Sequence, residues 1–231
     1  MGDMNDKLVA KNLTKSYGQV RALAGVSIDI PPGQQLAIMG PSGSGKSTLL
    51  HCLSGILRPE VGTVHLGSTD ITSLTDSQRS RLRRSHFGFV FQDGQLIDEL
   101  TAAENVAFPL LLAGVPRSRA LNEAAVWLER LGLAGMDSRK PGEMSGGQAQ
   151  RLAIARALVH QPSVVFADEP TGALDQATGH EVMQVLTSIC SMANATLIVV
   201  THDTKVAQWC SRLVEIRDAM IHDDRVLRGV K

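Results

Sequence analysis

Apolar and polar residues alternate in short runs at the start of the chain, and the period lengthens further along. Leu8-Val9-Ala10 and Val26-Ser27-Ile28-Asp29-Ile30 read as strands, the second with a two-residue period. Pro31-Pro32-Gly33 then punctuates the chain. Gln35-Leu36-Ala37-Ile38-Met39 is a third short apolar strand that ends at Gly40. A Gly/Ser-rich loop follows, and after it Leu49, Leu50, Leu53 and Ile56 fall at helical spacing. Past Gln92 the pattern turns helical. Thr101-Ala102-Ala103-Glu104 fits a capping box, in which the two side chains satisfy opposed backbone donors. Leu121, Ala124, Ala125, Leu128 and Leu131 share one helical face, with Ser118 as N-cap and Gly132 as stop. Strand signal returns only at Val164-Val165-Phe166. A helix (Val182, Val185, Leu186, Ile189), a strand (Thr196-Leu197-Ile198-Val199-Val200) and a closing pair near Leu213 and Met220 complete the order. Strands alternating with helices predict an α/β fold with a mainly parallel sheet covered on both faces. No internal repeat is visible.

Composition narrows the function classes. With 231 residues, 43% hydrophobic and 20% charged, the chain has enough apolar material for a core without disulfide staples. Its 23 basic and 23 acidic residues balance, so net charge advertises neither nucleic acid nor anionic lipid as partner. Cys52, Cys190 and Cys210 are odd in number and have no metal-ligand spacing, which argues for a reducing compartment. The apolar stretch around Phe108-Pro109-Leu110-Leu111-Leu112-Ala113 is far too short to span a bilayer. The acidic start, Met1-Gly2-Asp3-Met4-Asn5-Asp6, holds no apolar leader. No direct membrane insertion is expected.

Three segments carry chemistry. Gly40-Pro41-Ser42-Gly43-Ser44-Gly45-Lys46-Ser47 fits G-x-x-x-x-G-K-[ST] in full, between a strand and a helix. The glycines turn the backbone so that its N–H groups face phosphate oxygens. Lys46 reaches terminal phosphates, Ser47 ligates Mg²⁺, and the helix start, continuing through Thr48, adds its positive dipole end. Val164-Val165-Phe166-Ala167-Asp168-Glu169-Pro170 is an apolar strand ending in two acids. Alone, such acids read as a solvated loop; beside a phosphate loop, Asp168 serves the Mg²⁺ shell and Glu169 the attacking water. Ser145-Gly146-Gly147-Gln148 opens a helix carrying Leu152, Ala155, Leu158 and Val159. This is a second anion-seeking helix start, although an N-cap followed by flexible glycines accounts for it too.

Taken in this order, the motifs resemble those of the nucleotide-binding subunits of ATP-binding-cassette transporters, over almost the whole chain. The resemblance implies a P-loop NTPase core, an N-terminal antiparallel β-subdomain and an inserted α-helical subdomain. All lie in one ATPase domain, with 1–92 and 160–231 as core and β-subdomain and 93–159 as the helical part. It also implies roles for residues that chemistry alone leaves ordinary. Tyr17, otherwise a turn residue, stacks on adenine. Gln92 touches Mg²⁺ and relays to the membrane partner. Asp175, in Ala173-Leu174-Asp175, communicates across the dimer, and His202, otherwise a structural histidine, contacts the γ-phosphate. In such a family two copies pack head to tail, and Ser145, Gly146, Gly147 and Gln148 serve the neighbour's ATP. The implied cofactors are ATP and Mg²⁺. The implied partners are a second copy and integral membrane permease subunits, which hold the protein in the cytoplasm on the inner face of the cell membrane.

Met144 stands where the family pattern begins with Leu, Ala149 follows Gln148 where a polar residue is common, and Asp218-Ala219 fills a hairpin that usually takes Gly second. The stretches Arg83-Arg84-Ser85-His86-Phe87-Gly88-Phe89-Val90-Phe91-Gln92 and Leu100-Thr101-Ala102-Ala103-Glu104-Asn105-Val106 are similar to the lipoprotein-release, macrolide-export and antimicrobial-peptide-resistance branch. That branch implies export or mechanotransmission. Arg79, Arg81, Arg83 and Arg84 read as a solvated helix face, the other reading being a run close to lipid headgroups or an acidic partner loop. The competing class is a nucleic-acid-handling cassette ATPase. It needs a long coiled coil or a zinc-bearing insertion, which the residues between Gln92 and Ser145 do not offer. A metabolic P-loop kinase would leave Ser145-Gly146-Gly147-Gln148 and His202 idle.

Overall fold

The computed structural model describes residues 7–227. Residues 1–6, on which the expectation about the acidic start falls, and 228–231 lie outside them. The chain opens with β1 (Leu8–Tyr17) and β2 (Val20–Ile30), an antiparallel pair longer than the alternation predicts. The period breaks because the register shifts on both sides of Leu13 and Asn12 adopts φ 52°, a bulge that hides the strand from a two-residue count. β3 (Gln35–Met39) leads through the glycine loop into α1 (Lys46–Leu53). Ile56 falls beyond that helix, because the chain leaves it at Ser54 and takes φ 65° at Gly55. β4 (Val61–Leu66) and β5 (Thr69–Asp70), which the hydrophobic pattern did not reveal, complete a four-stranded antiparallel sheet in the order β2-β1-β4-β5.

α2 (Asp76–His86) carries the arginine run, and only part of it is solvated. Arg81 and Arg84 are exposed. Arg79 is buried and paired with Asp76, while Arg83 donates to Gly55 O at 2.7 Å. Burial of these stems beside the α1 exit overrides the solvated-face expectation. β6 (Phe87–Phe91) follows, then α3 (Ala102–Leu112) and α4 (Arg117–Arg130). The Thr101 capping box forms as expected, with Glu104 N–H donating to Thr101 Oγ1 and Thr101 N–H to Glu104 Oε2. α4 instead starts at Pro116, whose fixed φ of −54° sets the entry, so Ser118 lies inside the helix. On that helix Ala125 is exposed and Trp127 takes the core position.

α5 (Gly146–Leu158) is buried nearly all round, unlike a surface helix. β7 (Val164–Asp168), α6 (Gln176–Met192), β8 (Thr196–Val200), α7 (Thr204–Ala207), β9 (Arg212–Arg217) and β10 (Met220–Val226) complete the chain. The second sheet runs β10-β9-β3-β8-β7-β6, parallel throughout except for β10. Its alternating side chains divide between two cores. Ala37, Val165, Ala167, Leu197 and Val199 meet residues of α3 to α6, while Leu36, Ile38, Phe166, Ile198 and Val200 meet α1 and the antiparallel sheet. Two hydrogen bonds stitch the sheets together: Ala24 N–H to Ala219 O at 2.8 Å and Arg212 Nη1 to Asp29 O at 2.6 Å. Asp218 and Ala219 both take positive φ (49° and 63°), as a type I′ turn requires, without glycine. Among the described residues no helix is long and apolar enough to cross a membrane.

Candidate nucleotide site

Register builds the site. Ile38 pairs with Val200, Val200 with Asp168, and Asp168 with Phe91. The residues that follow in each strand, Gly40 after Met39, His202 after Thr201, Glu169 and Gln92, therefore leave the sheet along one rim. That rim is the carboxyl end, where open α/β sheets bind ligands.

The phosphate loop closes tightly at two glycines. A Cβ at Gly40 (φ 149°) would sit 2.1 Å from Ile216 O, and one at Gly45 (φ 106°) 2.1 Å from Ala22 O. No other residue fits either place. Gly45 is also the N-cap of α1 and has no side chain to bond the first turn, so those N–H groups stay open to an anion. Pro41, Ser42, Gly43 and Ser47 are exposed, Thr48 is half-buried, and Ser44 is buried. Lys46 folds over the loop with Nζ donating to Pro41 O at 2.8 Å.

Asp168 ends β7 half-buried. Burial pushes its carboxyl above the usual carboxylate range, opposed by the Ser47 hydroxyl and by the nearby charges of His51 and Lys46. A desolvated carboxylate beside a hydroxyl fits a hard divalent cation. One carboxylate and one hydroxyl match the few protein ligands that Mg²⁺ commonly takes, with substrate phosphates and water completing its shell.

Glu169 adopts φ 47°, a left-handed backbone unusual for this residue type. Its N–H donates to Val200 O at 2.9 Å, and its carbonyl accepts from Gly172 N–H at 3.0 Å. The carboxylate reaches across to the residues just past β8: Oε2 accepts from Thr201 Oγ1 at 3.0 Å, and Oε1 from His202 N–H at 3.1 Å. His202 Nδ1 lies 2.7 Å from the same Oε1, with its ring largely exposed.

Gln92 is exposed and its amide lies over Gly172, where a Cβ would come within 2.9 Å of Gln92 Cδ. Two side chains that the sequence reading did not single out hold its flanks. Gln150, buried in α5, donates through Nε2 to Phe91 O (3.0 Å) and Pro170 O (2.7 Å). Arg156 donates to Gly94 O and Gln95 O, both at 2.6 Å. Their only signal was polarity, shared with Gln148 and Arg151, in a helix whose other residues are apolar or glycine. Thr201, also missed, had none beyond its place before His202.

The remaining candidates lie on other surfaces. Ser145 caps α5 in a full capping box with Gln148, so the N-cap explanation of this cluster holds within the chain. Ser145 and Gly146 are nevertheless exposed. The helix start packs on Leu174 and Thr178: a Cβ at Gly147 would lie 2.5 Å from Thr178 Cγ2. Asp175 caps α6, accepting from Ala177 N–H, Thr178 N–H and Thr178 Oγ1, and these bonds hold its carboxyl below the usual range. Tyr17 sits at the tip of the β1–β2 hairpin, 53% exposed, with Lys15 Nζ 5.8 Å from its ring centroid.

Comparison with known proteins agrees with this geometry. The family model described as ABC transporter matches residues 23–172. A lipoprotein-releasing system ATP-binding protein, LolD, of Legionella pneumophila is 44% identical over 224 residues, which is 95% of this chain and 99% of that protein. The macrolide export ATP-binding/permease protein MacB of Chromobacterium violaceum is 45% identical over 89% of this chain but only 32% of its own length. Among solved structures, the dimeric post-hydrolysis state of the ATP-binding cassette MJ0796 bound to ADP and Pi superposes with a TM-score of 0.87. It is 38% identical and covers 96% of this chain and 100% of that one. A rim of parallel strands bearing a phosphate loop and paired carboxylates, on a chain with these relatives, is an ATPase cassette, and the chain belongs to the ABC transporter family.

Proposed function

We propose that two copies of this chain pack head to tail around MgATP and turn its hydrolysis into movement of integral membrane permease subunits, in an export or mechanotransmission system. The backbone from Gly40 to Thr48 holds the phosphates, and Lys46 exchanges Pro41 O for a terminal phosphate oxygen. Tyr17 stacks on adenine. Ser47, Asp168 and Gln92 would hold Mg²⁺, which when bound offsets phosphate charge and orients the γ-phosphate. Glu169 accepts the proton of the attacking water, and His202 contacts the γ-phosphate. Ser145, Gly146, Gly147 and Gln148 of one copy face the nucleotide of the other. The capping box engages the N–H groups of Ser145 and Gln148 and leaves those of Gly146 and Gly147 for a phosphate. Asp175 lies between the two sites, and the helical stretch 93–159 moves with the permease. Because ATP contacts both copies only when they close, binding energy favours the closed pair, and loss of the γ-phosphate reopens it.

One observation carries this reading. The Glu169 carboxylate is fixed at the strand rim, next to Asp168 in sequence and across from His202 in space. Glu169→Gln is expected to slow hydrolysis about 10²–10⁴-fold while ATP affinity is retained. Wild-type turnover in that variant would contradict the assignment.

A further inference from the structure

Thr201 lies where three parts of the site meet. Its N–H donates to Ile38 O at 3.1 Å, tying the end of β8 to the strand that feeds the phosphate loop. Its hydroxyl oxygen accepts from Asp203 N–H at 3.0 Å, and its hydroxyl proton goes to Glu169 Oε2 at 3.0 Å. The residue is 1% exposed, so bulk water does not compete for either bond. The direction of the proton follows from elementary bookkeeping. An N–H can only donate and an ionised carboxylate can only accept, so the hydroxyl takes the first bond through a lone pair and gives its proton to the second.

The consequence concerns Glu169. Its backbone is held at φ 47°, and a flexible side chain on such a backbone needs external anchors to present one carboxylate plane. On Oε1 the partners are the His202 backbone and ring, and that ring is largely exposed and placed on the γ-phosphate by the proposed reaction. On Oε2 the partner is Thr201, buried and held by two further bonds. We propose that Thr201 is a positioning residue for hydrolysis: its hydroxyl anchors Glu169 Oε2, so that the carboxylate keeps its aim at the attacking water when His202 turns to the nucleotide. This rests on Glu169 acting as the general base.

The test is a set of variants in the full-length protein, assayed with saturating MgATP and by direct nucleotide binding. Thr201→Val keeps the shape of the side chain and removes the hydroxyl. It is expected to lower kcat about 10–100-fold, the usual weight of a hydrogen bond to a charged group, with KM and nucleotide affinity within about twofold. Thr201→Ser retains the hydroxyl and is expected to stay within about threefold of wild type. In a Glu169→Gln background, adding Thr201→Val should cost little more, since both changes remove the same oriented base. Unchanged kcat in Thr201→Val, an equal loss in Thr201→Ser, or fully additive losses in the double variant would each overturn the inference. Glu169→Gln alone reports separately on the base, because normal turnover there defeats the underlying reading whatever Thr201 does.

Discussion

Asp168 and Glu169 are adjacent in sequence and sit under opposite constraints. Asp168 continues the regular strand and pays in desolvation, whereas Glu169 leaves it on a left-handed backbone and is held by hydrogen bonds from β8. The Asp168 constraint predicts a measurable conflict between stability and function. A carboxyl whose pKa is raised by folding favours the native state most when protonated, below about pH 4, and this contribution is lost as pH rises through the raised value. In the protein without nucleotide or Mg²⁺, Asp168→Asn should therefore melt at a higher temperature than wild type at pH 7. The gap should close as the buffer approaches pH 4, while MgATP hydrolysis is abolished. Thermal melts across that range check the sign, and a wild-type protein that melts higher at pH 7 would contradict it. Both acids stood out only because the chain also carries a phosphate loop, since after an apolar strand alone they read as a solvated loop. The left-handed backbone at Glu169 and its tie to Thr201 were not, because they arise between strands about thirty residues apart in sequence.

At the scale of elements, prediction succeeded where one physical cause dominated and failed where two competed. Val164-Val165-Phe166 and Thr196-Leu197-Ile198-Val199-Val200 lie in central strands buried on both faces, and uninterrupted apolar runs marked them. The bulge at Asn12 and the start of α4 at Pro116 obey local backbone rules that hydrophobic counting does not register. The arginine run on α2 misled because aliphatic stems bury as readily as they solvate. Contacts between elements were harder still to foresee. Arg212 on β9 grips Asp224 on β10 through two bonds of 2.7 and 2.6 Å while reaching Asp29 O on β2, so one side chain fastens the hairpin to both sheets. The guanidinium holds the Asp224 carboxyl below its usual range. A depressed carboxyl stabilises the fold above its unfolded value near pH 4, and the contribution disappears as pH falls through the folded one. Asp224→Asn is expected to cost about 0.5–1 kcal/mol at pH 7, since the pair is partly screened by solvent. In urea titrations that difference should vanish toward pH 2, and a constant difference across pH would assign it to something other than charge.

Seen as a whole molecule, the chain presents one lysine-bearing loop and a second helix start that the proposed function assigns to a neighbour's nucleotide. α1 begins at an uncapped glycine, whereas α5 begins at an exposed serine followed by two glycines that pack on Leu174 and Thr178. The phosphate loop was readable from its contiguous G-x-x-x-x-G-K-[ST] spacing, although the carbonyls that require two of its glycines, Ile216 O and Ala22 O, come from distant parts of the chain. The second helix start remained ambiguous in sequence because an N-cap and an anion site use the same residue types, and within one chain the N-cap is what forms. The anion role proposed for it requires a second copy. The most direct measurement is the mass in solution of the Glu169→Gln variant, by light scattering after size exclusion, with and without saturating MgATP. The account predicts a monomer without nucleotide and a dimer with it, the dimer being lost when Ser145 is also replaced by Arg. A variant that binds ATP yet stays monomeric, both alone and when reconstituted with its membrane subunits, would contradict it.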